Sequence, residues 1–176
     1  MASTISDLSA VWLRVDDDCG FDVAWVTDRF EGGVELTRAN PPEGAEGVLN
    51  VSDEVFDVLK PVTSDPKIAF ADLIDLPQTN TAALLHNLRL RYNEDEIFTA
   101  IGDQCLVTVN PYKPLEMCQS EHLSALAHEP DVSALPPHLF KIAHSAYTRM
   151  LRSASAGAQS ILISGESGAG KTEAMK

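Results

Sequence analysis

The sequence has 176 residues, 44% hydrophobic and 22% charged, which is the composition of a globular chain and excludes general disorder. Its net charge of −13 is concentrated in residues 1–80, with 16 acids and 5 bases against 10 and 8 in residues 81–176. No basic stripe is visible, which argues against direct binding to DNA, RNA or anionic lipid.

No run approaches the ~18 apolar residues of a membrane helix, so no membrane insertion is expected. The segment Met1–Asp7 lacks the basic and apolar regions of a secretory signal. Cys19, Cys105 and Cys118 are scattered and odd in number, reading as reduced intracellular thiols rather than a disulfide frame or a zinc site.

In chain order, three β-branched or aromatic runs come first: Val11–Val15, Val23–Thr27 and Gly33–Thr37. Turn chemistry at Asp16–Gly20 and Glu31–Gly33 separates them, and further extended chain is expected at Val48–Val51. Short strands about ten residues apart predict a small antiparallel barrel or sandwich, with Trp12 and Trp25 in its core. From Asp53 to Pro77 the chain is acidic and punctuated by Pro61, Pro66 and Pro77, a connector wrapped over a neighbouring surface.

A helix is predicted over Thr81–Tyr92, capped by Thr79 or Asn80, with Ala83, Leu84, Leu85 and Leu88 on its apolar face and His86 and Arg89 on the polar side. Ile97–Ile101 and Gln104–Val109 then predict a hairpin across the two-residue turn Gly102-Asp103. The second arm is apolar enough for a strand buried on both faces, and Pro111 and Pro114 end it. A short helix over Glu121–Ala127 is followed by a stronger one after Pro136-Pro137. Leu139, Ile142, Ala143, Ala146, Tyr147, Met150 and Leu151 form a core-facing stripe on the latter.

Ser160–Ile163 reads as a short buried strand, and Gly165-Glu166-Ser167-Gly168-Ala169-Gly170-Lys171-Thr172 follows at once. This is GxxxxGK[ST], the phosphate-binding P-loop. Its glycines permit backbone angles that let successive N–H groups point inward as an anion nest. Lys171 supplies a point charge to the β- and γ-phosphates, and the Thr172 hydroxyl is the expected Mg²⁺ ligand. The helix opening at Lys171 would aim its positive end at the phosphates. At average residue usage, a chance match somewhere in a chain this long is of order one per cent.

An ATPase of this kind also needs an acidic residue on a later strand to hold Mg²⁺ and a group to position water. Only Glu173–Lys176 follow Thr172 in the sequence, and Asp72, the one strand-end acid resembling such a ligand, lies upstream among prolines. Residues 1–176 are therefore expected to be catalytically incomplete.

The form Gly-Glu-Ser-Gly-Ala-Gly-Lys-Thr-Glu at Gly165–Glu173 is narrower than the generic pattern and resembles the P-loop of the myosin motor. Leu88–Tyr92, Ile97–Gly102, Leu106–Lys113 and Pro137–Ala143, with Ala146-Tyr147 after them, follow that family's order and spacing. The resemblance implies an α/β P-loop NTPase fold, motor-like and incomplete, preceded by a small all-β SH3-like barrel. The implied boundaries are a barrel at 8–50, a connector at 51–80 and the start of a motor domain at 81–176.

It further implies an actin-activated ATPase that is cytoplasmic and cytoskeletal, with ATP and Mg²⁺ as cofactors and actin filaments as partner through surfaces outside this chain. By the same resemblance, Asn110, Pro111, Tyr112 and Lys113 form a purine-binding loop beside the adenine. The family usually has a Tyr eight residues after that Asn, where this sequence has Cys118. Two other readings stay open at this stage. One is a different P-loop ATPase or kinase with an unrelated N-terminal appendage; the other is a non-catalytic nucleotide-binding fragment.

Overall fold

The computed structural model describes residues 10–16, 20–41, 43–44, 46–115, 124, 135–152 and 158–175. Five strands, β1 (Ala10–Asp16), β2 (Gly20–Phe30), β3 (Gly33–Arg38), β4 (Val48–Ser52) and β5 (Lys60–Pro61), form an antiparallel sheet in the order β4-β3-β2-β1-β5. A one-turn helix α1 (Asp53–Phe56) and a 3₁₀ turn (Leu73–Asp75) lie among the connections. Next come α2 (Thr81–Asn93), the hairpin β6 (Phe98–Ile101) and β7 (Cys105–Thr108), α3 (Leu139–Arg152) and α4 (Lys171–Ala174). The chain divides into two compact units, Met1–Ile68 with Leu76–Asn87, and Ala69–Asp75 with Leu88–Lys176.

In the first unit, side-chain alternation along the strands divides the apolar residues between two faces. Val11 and Leu13 of β1 join Ala24, Val26, Val34 and Leu36 in one cluster. Ala10 and Trp12 join Val23 in the other, beneath Ala82 and Ala83 of α2, with Trp25 packed alongside. Both tryptophans therefore serve as packing. The Trp12 indole N–H donates to Gln78 Oε1, and the Gln78 amide donates to the Pro61 carbonyl. This fastens the proline-rich stretch to the sheet and recruits β5, which composition alone assigns to a connector. Buried Asp22 accepts from the N–H groups of Val23 and Asn40, so its carboxylate is satisfied within the sheet.

Helix α2 starts where expected, with Asn80 Oδ1 accepting the Ala83 N–H at 2.9 Å as a side-chain cap. Its buried face differs from the expected leucine stripe. Ala82, Ala83, Asn87 and Arg91 are buried, whereas Leu85 is exposed. His86 does not sit on a solvated polar side. Its ring lies 5.1 Å from Trp12, and Nε2 donates to the Pro66 carbonyl at 2.6 Å. Polar side chains with fixed partners replaced apolar ones at the contact.

In the second unit, the Arg91 guanidinium donates to Thr99 Oγ1 (3.0 Å), to the Phe98 carbonyl (2.7 Å) and to Glu96. The helix end is thereby tied to β6. The hairpin pairs Ile101 with Cys105, giving a three-residue loop Gly102-Asp103-Gln104 rather than the expected two. Asp72 supplies the reason: its carboxylate accepts from the Gly102 N–H at 3.0 and 3.1 Å and holds the turn from outside. Strand β7 is not buried on both faces: Cys105 and Thr108 are exposed and Leu106 and Val107 half-buried, and among the described strands it pairs only with β6.

Helix α3 begins at a cap formed by buried His138, whose Nδ1 accepts the Phe140 N–H while its ring stacks edge-on against Phe98 at 4.8 Å. Its apolar stripe is a core face only in part: Leu139, Ile142 and Ala146 are half-buried, whereas Ala143, Tyr147, Met150 and Leu151 are exposed. Ser160–Ile163 likewise forms no strand, and Leu162 is 92% exposed. A buried strand needs neighbours to accept its backbone groups, and the described residues supply none. The helix expected at Glu121–Ala127 lies outside the described residues except for Ser124, which is helical. Among the described residues, no helix is long and apolar enough to cross a membrane.

Candidate functional site

The glycine-rich segment folds as a loop into α4. Gly168 and Gly170 sit at φ +81° and +91°, the left-handed region that side-chain-bearing residues rarely adopt. At Gly165, a Cβ would come within 3.1 Å of the Ala169 methyl, so a side chain there would press into the loop. The Ala169 N–H donates to the Glu166 carbonyl at 3.2 Å, closing a tight turn. Lys171 reaches back across the loop, its Nζ donating to the carbonyls of Gly165 (2.8 Å) and Glu166 (2.9 Å). Glu166, Ser167 and Thr172 are exposed, and Ala169, Gly170 and Lys171 are half-buried. A cation is thus held on a short loop whose backbone can present several N–H groups, a combination suited to a polyphosphate.

The second predicted segment, 58 residues upstream, meets the first. Asn110 Nδ2 donates to the Gly168 carbonyl at 2.7 Å, and the Tyr112 hydroxyl donates to the same oxygen at 3.3 Å. Asn110 Oδ1 accepts the Tyr112 N–H at 2.9 Å. That side-chain turn supports Tyr112 at φ +52°, an unusual angle for an aromatic residue. The Tyr112 side chain is 80% exposed, so its contact with the loop is made at the surface. Pro111 is half-buried beside it. Lys113 turns elsewhere and forms an ion pair with Asp95, a second non-glycine residue at positive φ (+62°).

Asn110, Tyr112 and the loop Gly165–Lys171 therefore form one hydrogen-bonded cluster, while Lys113 belongs to a neighbouring pair. Asp72, the upstream acid that imitates a strand-end metal ligand, is engaged by the β6–β7 turn and by the Ile74 N–H. Cys118 lies outside the described residues. Among the described residues, no group of three or more His, Cys, Asp or Glu side chains could hold a metal ion. A Mg²⁺ ion at this loop would have to share Thr172 with phosphate oxygens. The carbonyls of Gly165 and Glu166 as acceptors for Lys171 had no sequence signal, because any residue supplies a carbonyl.

Comparison with known proteins bears on the same segments. Residues 70–176 match the myosin head (motor domain) family. Over 172 residues the chain is 34% identical to the myosin-H heavy chain of Dictyostelium discoideum, covering 93% of this chain and 9% of that protein. It is 33% identical over 172 residues to unconventional myosin-VI of Sus scrofa, covering 98% of this chain and 13% of that one. The high molecular weight form of myosin-1 of Acanthamoeba castellanii is 43% identical over 105 residues, 60% of this chain and 6% of that protein. The chain thus spans a small part of the length of the curated relatives it matches.

Proposed function

The chain belongs to the myosin head (motor domain) family, and on that premise we propose that Gly165–Thr172 binds the phosphates of Mg-ATP for an actin-based motor. The antiparallel sheet β1–β5 fits an SH3-like region in front of the motor. The remainder is read as the opening of an α/β P-loop NTPase fold.

The observation that carries the proposal is the joining of the two predicted segments on the Gly168 carbonyl. A purine loop and a phosphate loop must adjoin to hold one nucleotide, and these adjoin through three polar groups. The residues also suit the ligand: two glycines at left-handed angles, a lysine held over the loop, and an exposed Thr172 hydroxyl. Bound Mg-ATP would supply the γ-phosphate whose loss biases switch loops elsewhere in such a motor. On this side, Lys171 would exchange its carbonyl partners for phosphate oxygens, Thr172 would ligate Mg²⁺, and Asn110–Lys113 would lie beside the adenine. In the intact protein the partners would be actin filaments, and the setting the cytoplasmic actin cytoskeleton.

Binding without turnover by residues 1–176 is the second reading, favoured by the exposure of Ile161 and Leu162 where a sheet strand is required. Titrating the chain with a fluorescent ATP analogue and Mg²⁺ tests the site. Lys171→Ala is expected to weaken binding about 10- to 100-fold, the loss of one or two charge-assisted hydrogen bonds. Equal affinity in the variant would remove the loop from the nucleotide site.

A further inference from the structure

We propose that Asn110 and Tyr112 are positioning residues for the phosphate loop, setting the orientation of the Gly168–Ala169 peptide. This rests on the reading that the loop binds phosphate. It adds that the upstream segment acts on the phosphates through the backbone, independently of any contact with a base.

The peptide plane between Gly168 and Ala169 is rigid, so fixing its carbonyl fixes its N–H. Residues on both sides of Ala169 are glycines at positive φ, and glycine imposes little preference of its own on either plane. Local sequence therefore leaves this plane free to rotate. The structure restrains it from outside. Both donors, Asn110 Nδ2 and the Tyr112 hydroxyl, converge on the Gly168 oxygen, matching the two acceptor positions of a carbonyl. The coupled N–H is used by the Glu166 carbonyl. A half-turn of the plane would exchange N–H for carbonyl and set a negative dipole end within a loop built to hold an anion.

The amide of Asn110 leaves no ambiguity of orientation. A backbone N–H can only donate and a carbonyl can only accept, so Oδ1 faces Tyr112 and Nδ2 faces Gly168. One side chain thus shapes its own loop and grips the other. Tyr112 depends on that first bond for its positive φ, and through it for the placing of its hydroxyl. The approach is close on both sides. A Cβ on Gly170 would stand 3.7 Å from the Asn110 amide, and one on Gly168 would stand 3.6 Å from the Tyr112 hydroxyl.

Inorganic pyrophosphate with Mg²⁺ is the decisive probe, because it carries no base. Any loss of its binding cannot come from a lost adenine contact. By isothermal titration of the chain, Tyr112→Phe is expected to bind about 3-fold more weakly and Asn110→Ala about 10-fold, from one and two lost neutral hydrogen bonds. The double variant is expected to lie within about 2-fold of Asn110→Ala, since both groups act through one carbonyl. Without ligand, amide hydrogen exchange across Gly165–Thr172 should quicken in each variant, while exchange of the β6–β7 hairpin amides in the same compact unit stays unchanged and reports an intact fold.

Pyrophosphate binding and loop exchange equal to wild type in both variants, with binding still lost in Lys171→Ala, would overturn the positioning role and leave the phosphate site standing. Failure of the wild-type chain to bind pyrophosphate, or undiminished binding by Lys171→Ala, would overturn the phosphate site and this proposal together.

Discussion

Arg91 shows how a single charged side chain can decide a contact that hydrophobicity does not. It is 7% exposed, yet it carries three partners, two of them on the buried segment Phe98-Thr99. Replacement by Met preserves the volume and strands the Phe98 carbonyl and Thr99 hydroxyl. The expected cost is about 2–3 kcal/mol, a desolvation penalty for unpaired groups rather than lost attraction to half-exposed Glu96. A urea denaturation midpoint measures it, and a change under about 0.5 kcal/mol, typical of a surface substitution, would contradict the bracing role. Asn110 works on the same principle at the surface, where a bidirectional amide joins a donor-only and an acceptor-only group.

Among elements, the strands β1–β4 and the start of α2 were legible because each rests on a local signal. Those signals are alternation, turn residues and the Asn80 cap. The buried face of α2 was not legible, since Arg91 is buried through hydrogen bonds to the Phe98 carbonyl and Thr99 hydroxyl, which an apolar periodicity does not register. The hairpin loop shifted by one residue for a similar reason: Asp72, 30 residues away, grips Gly102. Helix α3 raises the opposite case, an apolar stripe whose C-terminal members Tyr147, Met150 and Leu151 are exposed. Leu151→Lys is therefore expected to change the chain's stability by less than about 0.5 kcal/mol, as a surface substitution does. A loss of 2 kcal/mol or more in urea denaturation, the scale of about one deleted core side chain, would mean the stripe is packed.

For the molecule as a whole, the loop Gly165–Thr172 proposed to bind phosphate stands out in eight consecutive residues, because backbone geometry, charge and hydroxyl are encoded side by side. Its attachment to Asn110 and Tyr112 was not, as a hydrogen bond to a carbonyl 58 residues away leaves no trace in composition. The site role of Asn110–Lys113 entered only through family resemblance, and Lys113 forms an ion pair with Asp95. The proposal that Gly165–Thr172 binds Mg-ATP for an actin-based motor makes Lys171 the residue on which release from actin would depend. Its most direct test is co-sedimentation with actin filaments of the intact protein that carries this chain. Wild type is expected to pellet with actin and to be released by Mg-ATP. Lys171→Ala should pellet equally and stay bound when Mg-ATP is added. Equal release of the variant, or no pelleting of wild type, would contradict the account.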